Sequence, residues 1–165
     1  MTLRSALVPA ALAALLIASA AQAQGLRSER ALALPLANQI AAATVAACAA
    51  NGHAVTAAVV DRAGDLRALQ RADGAGPHTV DASRAKAYTS ASARNTTLAM
   101  MDAAQKNPGA ANLVHIPGFL LLGGGVPIRA GNEVIGAVGV GGAPGGQLDE
   151  ACALAALEQV KGQLQ

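Results

Sequence analysis

Three histidines, His53, His78 and His115, are the side chains of this sequence best suited to hold a metal ion or a metal-containing cofactor. No two of them are three or four residues apart, so they form no local metal motif on one helical turn. Each lies near the expected end of a helix or strand, or in a loop. A single imidazole is still able to serve as the axial ligand of a haem iron. Each histidine therefore has two interpretations, an axial ligand or a solvated loop residue.

Other side chains that commonly carry catalysis form no recognisable arrangement. The sequence lacks the G-x-S-x-G motif of a nucleophilic serine, and neither cysteine has a basic neighbour that would favour a thiolate. Cys48 and Cys152 lie in predicted helices near opposite ends of the chain. They are either two buried, small apolar residues or, in an exported protein, the partners of a disulfide. The residues alone define no reaction, and they leave open whether the protein is an enzyme.

A glycine-rich segment, 123–146, is the part of the chain around which these residues must be arranged. β-Branched residues alternate with its glycines, which is typical of strands. Gly131-Asn132 is a two-residue turn signal, so we predict a hairpin with strands at about 126–130 and 133–141. Close packing of a helix on the sheet is the expectation for most of the glycines. A dinucleotide fingerprint does not fit, because Pro144 stands where a third glycine is needed. A P-loop does not fit either, because no lysine lies between Lys106 and Lys161.

The first 23 residues have the pattern of a secretory signal peptide. A start that carries Arg4 precedes an apolar run, and Ala21-Gln22-Ala23 supplies the small residues of a cleavage site. The apolar run is too short to span a bilayer comfortably, so no membrane span is expected after cleavage. The sequence thus predicts a periplasmic or secreted protein. Its segments would be a signal peptide at 1–23, an N-terminal arm at 24–34 and a single domain at 35–164.

Helical and strand patterns follow one another in the rest of the chain. Periodicity and turn signals predict helices at 35–51, 81–93, about 95–105 and 147–164, further strands at 55–60, 66–70 and 119–122, and a loop at 106–112. Because hairpins join most of the strands, the sheet is expected to be antiparallel, with about five strands. This order predicts an α+β domain.

Composition excludes one class of partner. Without Arg4 the chain carries eleven Lys and Arg residues against ten Asp and Glu residues, and Tyr88 and Phe119 are its only aromatic residues. Nucleic-acid binding uses clustered cations and stacking aromatic rings. Neither is present, so no nucleic-acid partner is expected.

A series of short motifs resembles the haem-degrading, GlcG/HbpS-like family. In chain order they lie at Ala57–Gly64, Arg71–Ala75, Ala85–Thr89, Gly124–Ile128, Gly136–Gly142 and Asp149-Glu150. Together they cover about residues 35–164. The resemblance implies a profilin-like or PAS-like sandwich that self-associates as a homo-oligomer. It also implies haem binding in some members and, by the family's name, haem degradation. One departure is Gly141, where the family often has a serine hydroxyl.

Two charged residues within the matching motifs, Lys86 and Asp73, are candidate cofactor-binding residues. The functional interpretation places them around a pocket with Gly124 and Gly125. In the alternative, Asp73 caps its own turn and Lys86 extends along the surface of its helix.

The resemblance fixes no haem ligand, so the histidines are ranked by their neighbours. His115 ranks first, because apolar residues flank it and its segment leads into the glycines at 123–125. His53 follows a helix C-terminus, where the dipole favours the protonated form and disfavours ligation. His78 stands beside Pro77 at the start of a helix, where solvent is expected.

Two functional hypotheses follow. The first is an exported haem-binding protein that takes part in haem degradation or in haem or iron sensing. The second is a non-catalytic oligomeric module that binds another small molecule or a protein partner. Only the family resemblance favours haem.

Overall fold

The computed structural model of the protein describes Gly25 and residues 27–165. The predicted signal peptide, 1–23, lies outside the described residues. Ala31–Gln165 form one compact unit. Leu32 is already buried in its core, so the domain begins within the predicted N-terminal arm, slightly before residue 35.

Five helices and four strands make up the described part of this unit. The helices are α1 (Leu34–Ala49), α2 (Thr79–Ala93), α3 (Thr97–Lys106), α4 (Pro108–Ala111) and α5 (Gly146–Val160). The strands are β1 (Thr56–Asp61), β2 (Leu66–Arg71), β3 (Gly125–Ala130) and β4 (Glu133–Gly141). Single turns of 3₁₀ helix cover Asn112–His115 and Lys161–Gln163. None of the described helices is both long and apolar enough to cross a membrane.

The four strands form one antiparallel sheet in the order β2-β1-β4-β3. Two hairpins, β1–β2 and β3–β4, are joined where β1 pairs with β4, and Val59 lies opposite Val138 in that pairing. The predicted α+β class and the hairpin around Gly131-Asn132 are confirmed. The predicted number of strands is slightly wrong, since the described residues contain four and not about five.

The segment 119–122, predicted as the additional strand, pairs with helices instead of the sheet. The backbone N–H of Leu120 donates to Thr89 Oγ1 at 2.8 Å, and the carbonyl of Leu122 accepts from Thr97 Oγ1 at 2.7 Å. Backbone groups that are partly removed from water need partners, and here hydroxyl groups of α2 and α3 supply them. The apolar run therefore packs without forming a strand.

The region 106–112, predicted as a loop, contains α4 and the beginning of a 3₁₀ turn. Asn107 Oδ1 accepts a hydrogen bond from the Gly109 N–H at 2.9 Å and so caps α4. Pro108 occupies the first helical turn, where its missing N–H costs little. These two local signals explain the short helix.

The sheet is covered by helices on both faces. Side chains alternate between the faces, so Val59 and Val138 belong to the core that α1 and α5 cover. Val60 and Ala137 instead belong to the smaller cluster under α2. The strand pattern thus produces a three-layer sandwich in which α2 is the main helix on its face, with the start of α3 beside it on β3.

Glycines allow α2 to lie directly on the sheet. A Cβ atom at Gly139 would collide with the carbonyl oxygen of Ser83 and come within 2.5 Å of the backbone nitrogen of Ala87. A Cβ atom at Gly125 would collide with the carbonyl oxygen of Lys86. Helix-on-sheet packing, expected from the sequence for most of these glycines, is confirmed at both positions.

Replacing Gly139 with alanine is expected to destabilise the protein by about 1–3 kcal/mol, because the new methyl group meets the backbone of α2 and the helix must move. Gly141→Ala is the matched control in the same strand, since its Cβ atom would find its nearest neighbours at 3.6 Å. Its expected effect is within about 0.5 kcal/mol. Urea unfolding of both variants measures the difference, and equal stabilities would contradict the packing described.

Cys48 and Cys152 form a disulfide that joins α1 to α5. The sequence left this pairing open against two separate buried thiols. Helix packing brings the two Cα atoms to 5.3 Å, within the range that a disulfide spans. The bridge therefore links the two helices that cover one face of the sheet.

Candidate functional site

A pocket of about 230 Å³ lies between the first turns of α2 and the loop that joins β4 to α5. The loop residues, 141–146, have no side chain larger than that of Pro144, so backbone forms much of this wall. Helix α2 contributes Thr79, Ala82 and Lys86, which share one face of the helix at this spacing. The pocket is therefore walled by backbone on one side and by small side chains and one lysine on the other.

The floor of the pocket is a buried ion pair. Lys86 Nζ lies 2.9 Å from Asp149 Oδ2, and the two side chains are 2% and 4% exposed. Lys86 Nζ also donates to the carbonyl of Val140 at 2.8 Å, while the N–H of Ala143 donates to Asp149 Oδ1 at 3.0 Å. The pair thus ties α2, β4 and α5 to the glycine-rich loop.

Burial raises the pKa of Asp149 above its ordinary value of 3.8. The hydrogen bond and charge of Lys86, the Ala143 N–H and the charge of His53 act in the opposite direction, but burial outweighs them. Lys86 therefore favours the ionised form of Asp149. Without Lys86, burial would raise the pKa of this carboxyl group further.

Gly124 and Gly125 lie against Lys86, although neither borders the pocket itself. Gly124 has a φ of 119°, a conformation that residues with a side chain rarely adopt. A Cβ atom there would also come within 2.7 Å of Asp149 Cβ and 3.1 Å of Lys86 Nζ. Glycine is thus required at position 124 for the ion pair to close.

The structure separates the three histidines. His78 directly precedes α2, without a side-chain capping hydrogen bond, and lines the same pocket as Lys86. His53 is half-buried and borders another pocket, of about 340 Å³, next to Leu148 and Cys152. His115 ends its 3₁₀ turn and is exposed. Of the three, His78 is therefore the histidine placed together with Lys86, although the sequence ranked His115 first.

Asp73, which the sequence-based interpretation placed at the same pocket as Lys86, is exposed in the turn after β2. The residue that bonds to Lys86 is Asp149, which the sequence analysis noted only as part of the Asp149-Glu150 motif. A signal was available. Lys86 is surrounded on its helix by small residues such as Ser83 and Ser90, which is typical of a buried face, and a buried lysine needs a carboxylate partner.

The arrangement offers binding groups but no complete catalytic set. Lys86 and Asp149 already bond to each other, and Asp149 also binds the glycine-rich loop through the N–H of Ala143. No group of three His, Cys, Asp or Glu side chains within the described residues could hold a metal ion. The pocket is therefore formed by the exposed imidazole of His78, by loop backbone and by the buried ion pair.

An antiparallel four-stranded sheet between helices, with a glycine-lined pocket at one end of α2, defines an α+β sandwich. The sequence profile of the family described as "Haem degrading protein HbpS-like" matches residues 32–158. The chain belongs to this HbpS-like family, and the resemblance seen in its motifs is confirmed.

Known relatives share both the sequence and the fold. The protein GlcG of Escherichia coli strain K12 is 37% identical over 109 residues, which cover 64% of this chain and 80% of GlcG. HbpS of Streptomyces reticuli, solved as a double mutant, has a TM-score of 0.78 at 37% identity, over 86% of this chain and 94% of that one. A PduOC–haem complex has a TM-score of 0.70 at 22% identity, over 78% and 94% of the two chains. That last likeness shows the shared fold.

Proposed function

We propose that this protein binds haem, and that the pocket between α2 and the glycine-rich loop is where the haem attaches. The observation that carries the proposal is the position of His78 at this pocket, beside the buried Lys86–Asp149 pair. The name of the family supports haem as the ligand. So does the PduOC structure, which contains haem in a protein of the same fold.

The residues present fit an edge-bound haem. The pocket, at about 230 Å³, is smaller than the roughly 300–1,000 Å³ of sites that enclose a whole ligand. The porphyrin would therefore enter by one edge and lie partly exposed. Apolar surface for such a ring is available at the rim, where Leu122 is 44% exposed and Ala143 and Pro144 lie nearby.

His78 is the residue that would hold the iron, because imidazole nitrogen is a common axial donor. The glycines of the loop keep side chains out of the space that a flat ring needs. Lys86 and Asp149 would act beneath the ligand, by fixing the N–H of Ala143 and so the shape of the loop. Bound iron would supply redox chemistry, whether the role is haem degradation or haem or iron sensing.

Adding hemin to the wild-type protein is expected to shift the Soret band with saturation. His78→Ala should weaken binding by more than about 1.4 kcal/mol, which is tenfold, or move the band. His53→Ala and His115→Ala are the matched controls and should behave as wild type. Loss of the shift in His115→Ala alone would restore the ranking made from the sequence. A wild-type protein that never saturates with hemin would remove the proposal.

Export and self-association belong to the same proposal. The signal-peptide pattern supports a periplasmic or secreted protein. N-terminal sequencing of the protein isolated from the cell envelope should give a chain that starts at Gln24. A homo-oligomer is in keeping with the edge strands β2 and β3, each of which pairs with a neighbouring strand on one side only. If hemin does not bind, the second hypothesis applies, an oligomeric module for another small molecule or a protein partner.

A further inference from the structure

A second pocket, of about 480 Å³, lies on another side of α2. Helix α2 contributes Asp81, Arg84, Ala85 and Tyr88 to it, again at the spacing of one helical face. The haem pocket proposed above uses a different stripe of the same helix, at Thr79, Ala82 and Lys86. The two pockets therefore do not share an α2 side chain.

The ring of Tyr88 forms a fixed wall of this second pocket. A Cβ atom at Gly64 would come within 2.6 Å of Tyr88 Cδ2, and one at Gly118 within 3.1 Å of Cε1. Phe119 meets the ring edge-on, with 6.3 Å between the ring centroids. Two glycines and an aromatic edge thus hold the tyrosine in place, so the wall exists before any ligand arrives.

The rest of the pocket combines apolar surface with two opposite charges. Leu66 is 45% exposed and Tyr88 37%, so a ligand would cover apolar surface that now meets water. Asp81 and Arg84 border the same space one helical turn apart. Within residues 27–165, no hydrogen bond or ion pair engages either of these two side chains. A free carboxylate and a free guanidinium therefore stand beside an apolar wall.

We infer that this pocket binds a small zwitterion with an apolar side chain, of the α-amino-acid class. The planar guanidinium of Arg84 suits a carboxylate, which it binds through two parallel hydrogen bonds. The carboxylate of Asp81 suits the ammonium group, and Leu66 and Tyr88 suit the apolar side chain. An anion alone would leave Asp81 unpaired and a cation alone would leave Arg84 unpaired, so the two charges together select a zwitterion.

L-Phenylalanine is the probe, and isothermal titration of the full protein is the measurement. We expect saturable binding in the millimolar range. 3-Phenylpropionate, which lacks the ammonium group, and 2-phenylethylamine, which lacks the carboxylate, should each bind about tenfold more weakly, as expected when one charged hydrogen-bonded partner is lost. Arg84→Ala should weaken phenylalanine binding by about tenfold or more. Asp81→Asn should weaken phenylalanine but not phenylpropionate.

Arg67→Ala is the control, because Arg67 is an exposed arginine of β2 that does not border the pocket. It should bind phenylalanine as wild type does. Absence of saturable binding, or equal binding by wild type and Arg84→Ala, would overturn the inference. So would a change of molecular mass in Arg84→Ala without any phenylalanine binding, since this face would then be a contact between copies of the chain. None of these outcomes depends on hemin.

Discussion

Replacing Lys86 with methionine is expected to destabilise the protein by about 3–5 kcal/mol at neutral pH, because the carboxylate of Asp149 stays buried without its partner. Lys161→Met is the matched control. Lys161 also pairs with a carboxylate, that of Glu158 at 3.1 Å, but those side chains are 72% and 71% exposed. Exposed pairs contribute about 0–1 kcal/mol. Urea unfolding should therefore separate the two lysines clearly.

The loss of unfolding free energy caused by Lys86→Met should depend on pH in a defined direction. Burial raises the pKa of Asp149 above 3.8, and the hydrogen bond and charge of Lys86 oppose that rise. Without Lys86 the pKa in the folded state rises further above the unfolded value. A raised pKa favours the folded protein below the unfolded pKa, and this advantage disappears as pH rises through the folded pKa. The deficit of the variant should thus be largest at neutral pH and shrink toward about pH 4.

A double variant tests whether the buried charge is the cause. Lys86→Met combined with Asp149→Asn removes both charges and keeps an oxygen that can accept from Ala143. It should be more stable than Lys86→Met alone at neutral pH, since the buried carboxylate is gone. The buried carboxylate would not be the cause if the loss of stability were the same at every pH, or if Asp149→Asn did not reduce it.

Removing the disulfide is the other change with a large expected effect. Cys48 and Cys152 are 104 residues apart, and closing a loop of about 100 residues restricts the unfolded chain by about 4.7 kcal/mol. The double variant Cys48→Ala/Cys152→Ala should lose about 2–5 kcal/mol in urea unfolding. A reducing agent should lower the stability of the wild type toward that of the variant and leave the variant unchanged. Equal stability of the two proteins without reductant would show that the bridge does not form.

Local signals in the sequence were sufficient for most elements of the fold. The hairpin around Gly131-Asn132 was predictable because two adjacent residues decide its turn. The segment 119–122 was not, because its fate depends on Thr89 and Thr97, hydroxyl groups 31 and 25 residues away along the chain. An apolar run looks the same whether a strand or a helix supplies its hydrogen bonds.

The candidate site was predictable only in part, because it also depends on contacts between residues that are far apart in the sequence. Lys86, Gly124 and Gly125 were selected from their motifs, and the structure places them together. Asp149 lies 63 residues from Lys86, and no short pattern links the two. Asp73, the carboxylate that was selected from its motif, is exposed instead. The disulfide could not be decided either, since it depends on how α1 packs against α5.

The covalent link between α1 and α5 also determines how the domain responds to mechanical tension. All four strands and α2 lie between Cys48 and Cys152 in sequence. A force that pulls the two ends of the chain apart is therefore transmitted from one helix to the other through the sulfur atoms. Only the chain outside the disulfide loop can lengthen, so the sheet and the two pockets proposed as binding sites bear no extension until the bridge is reduced.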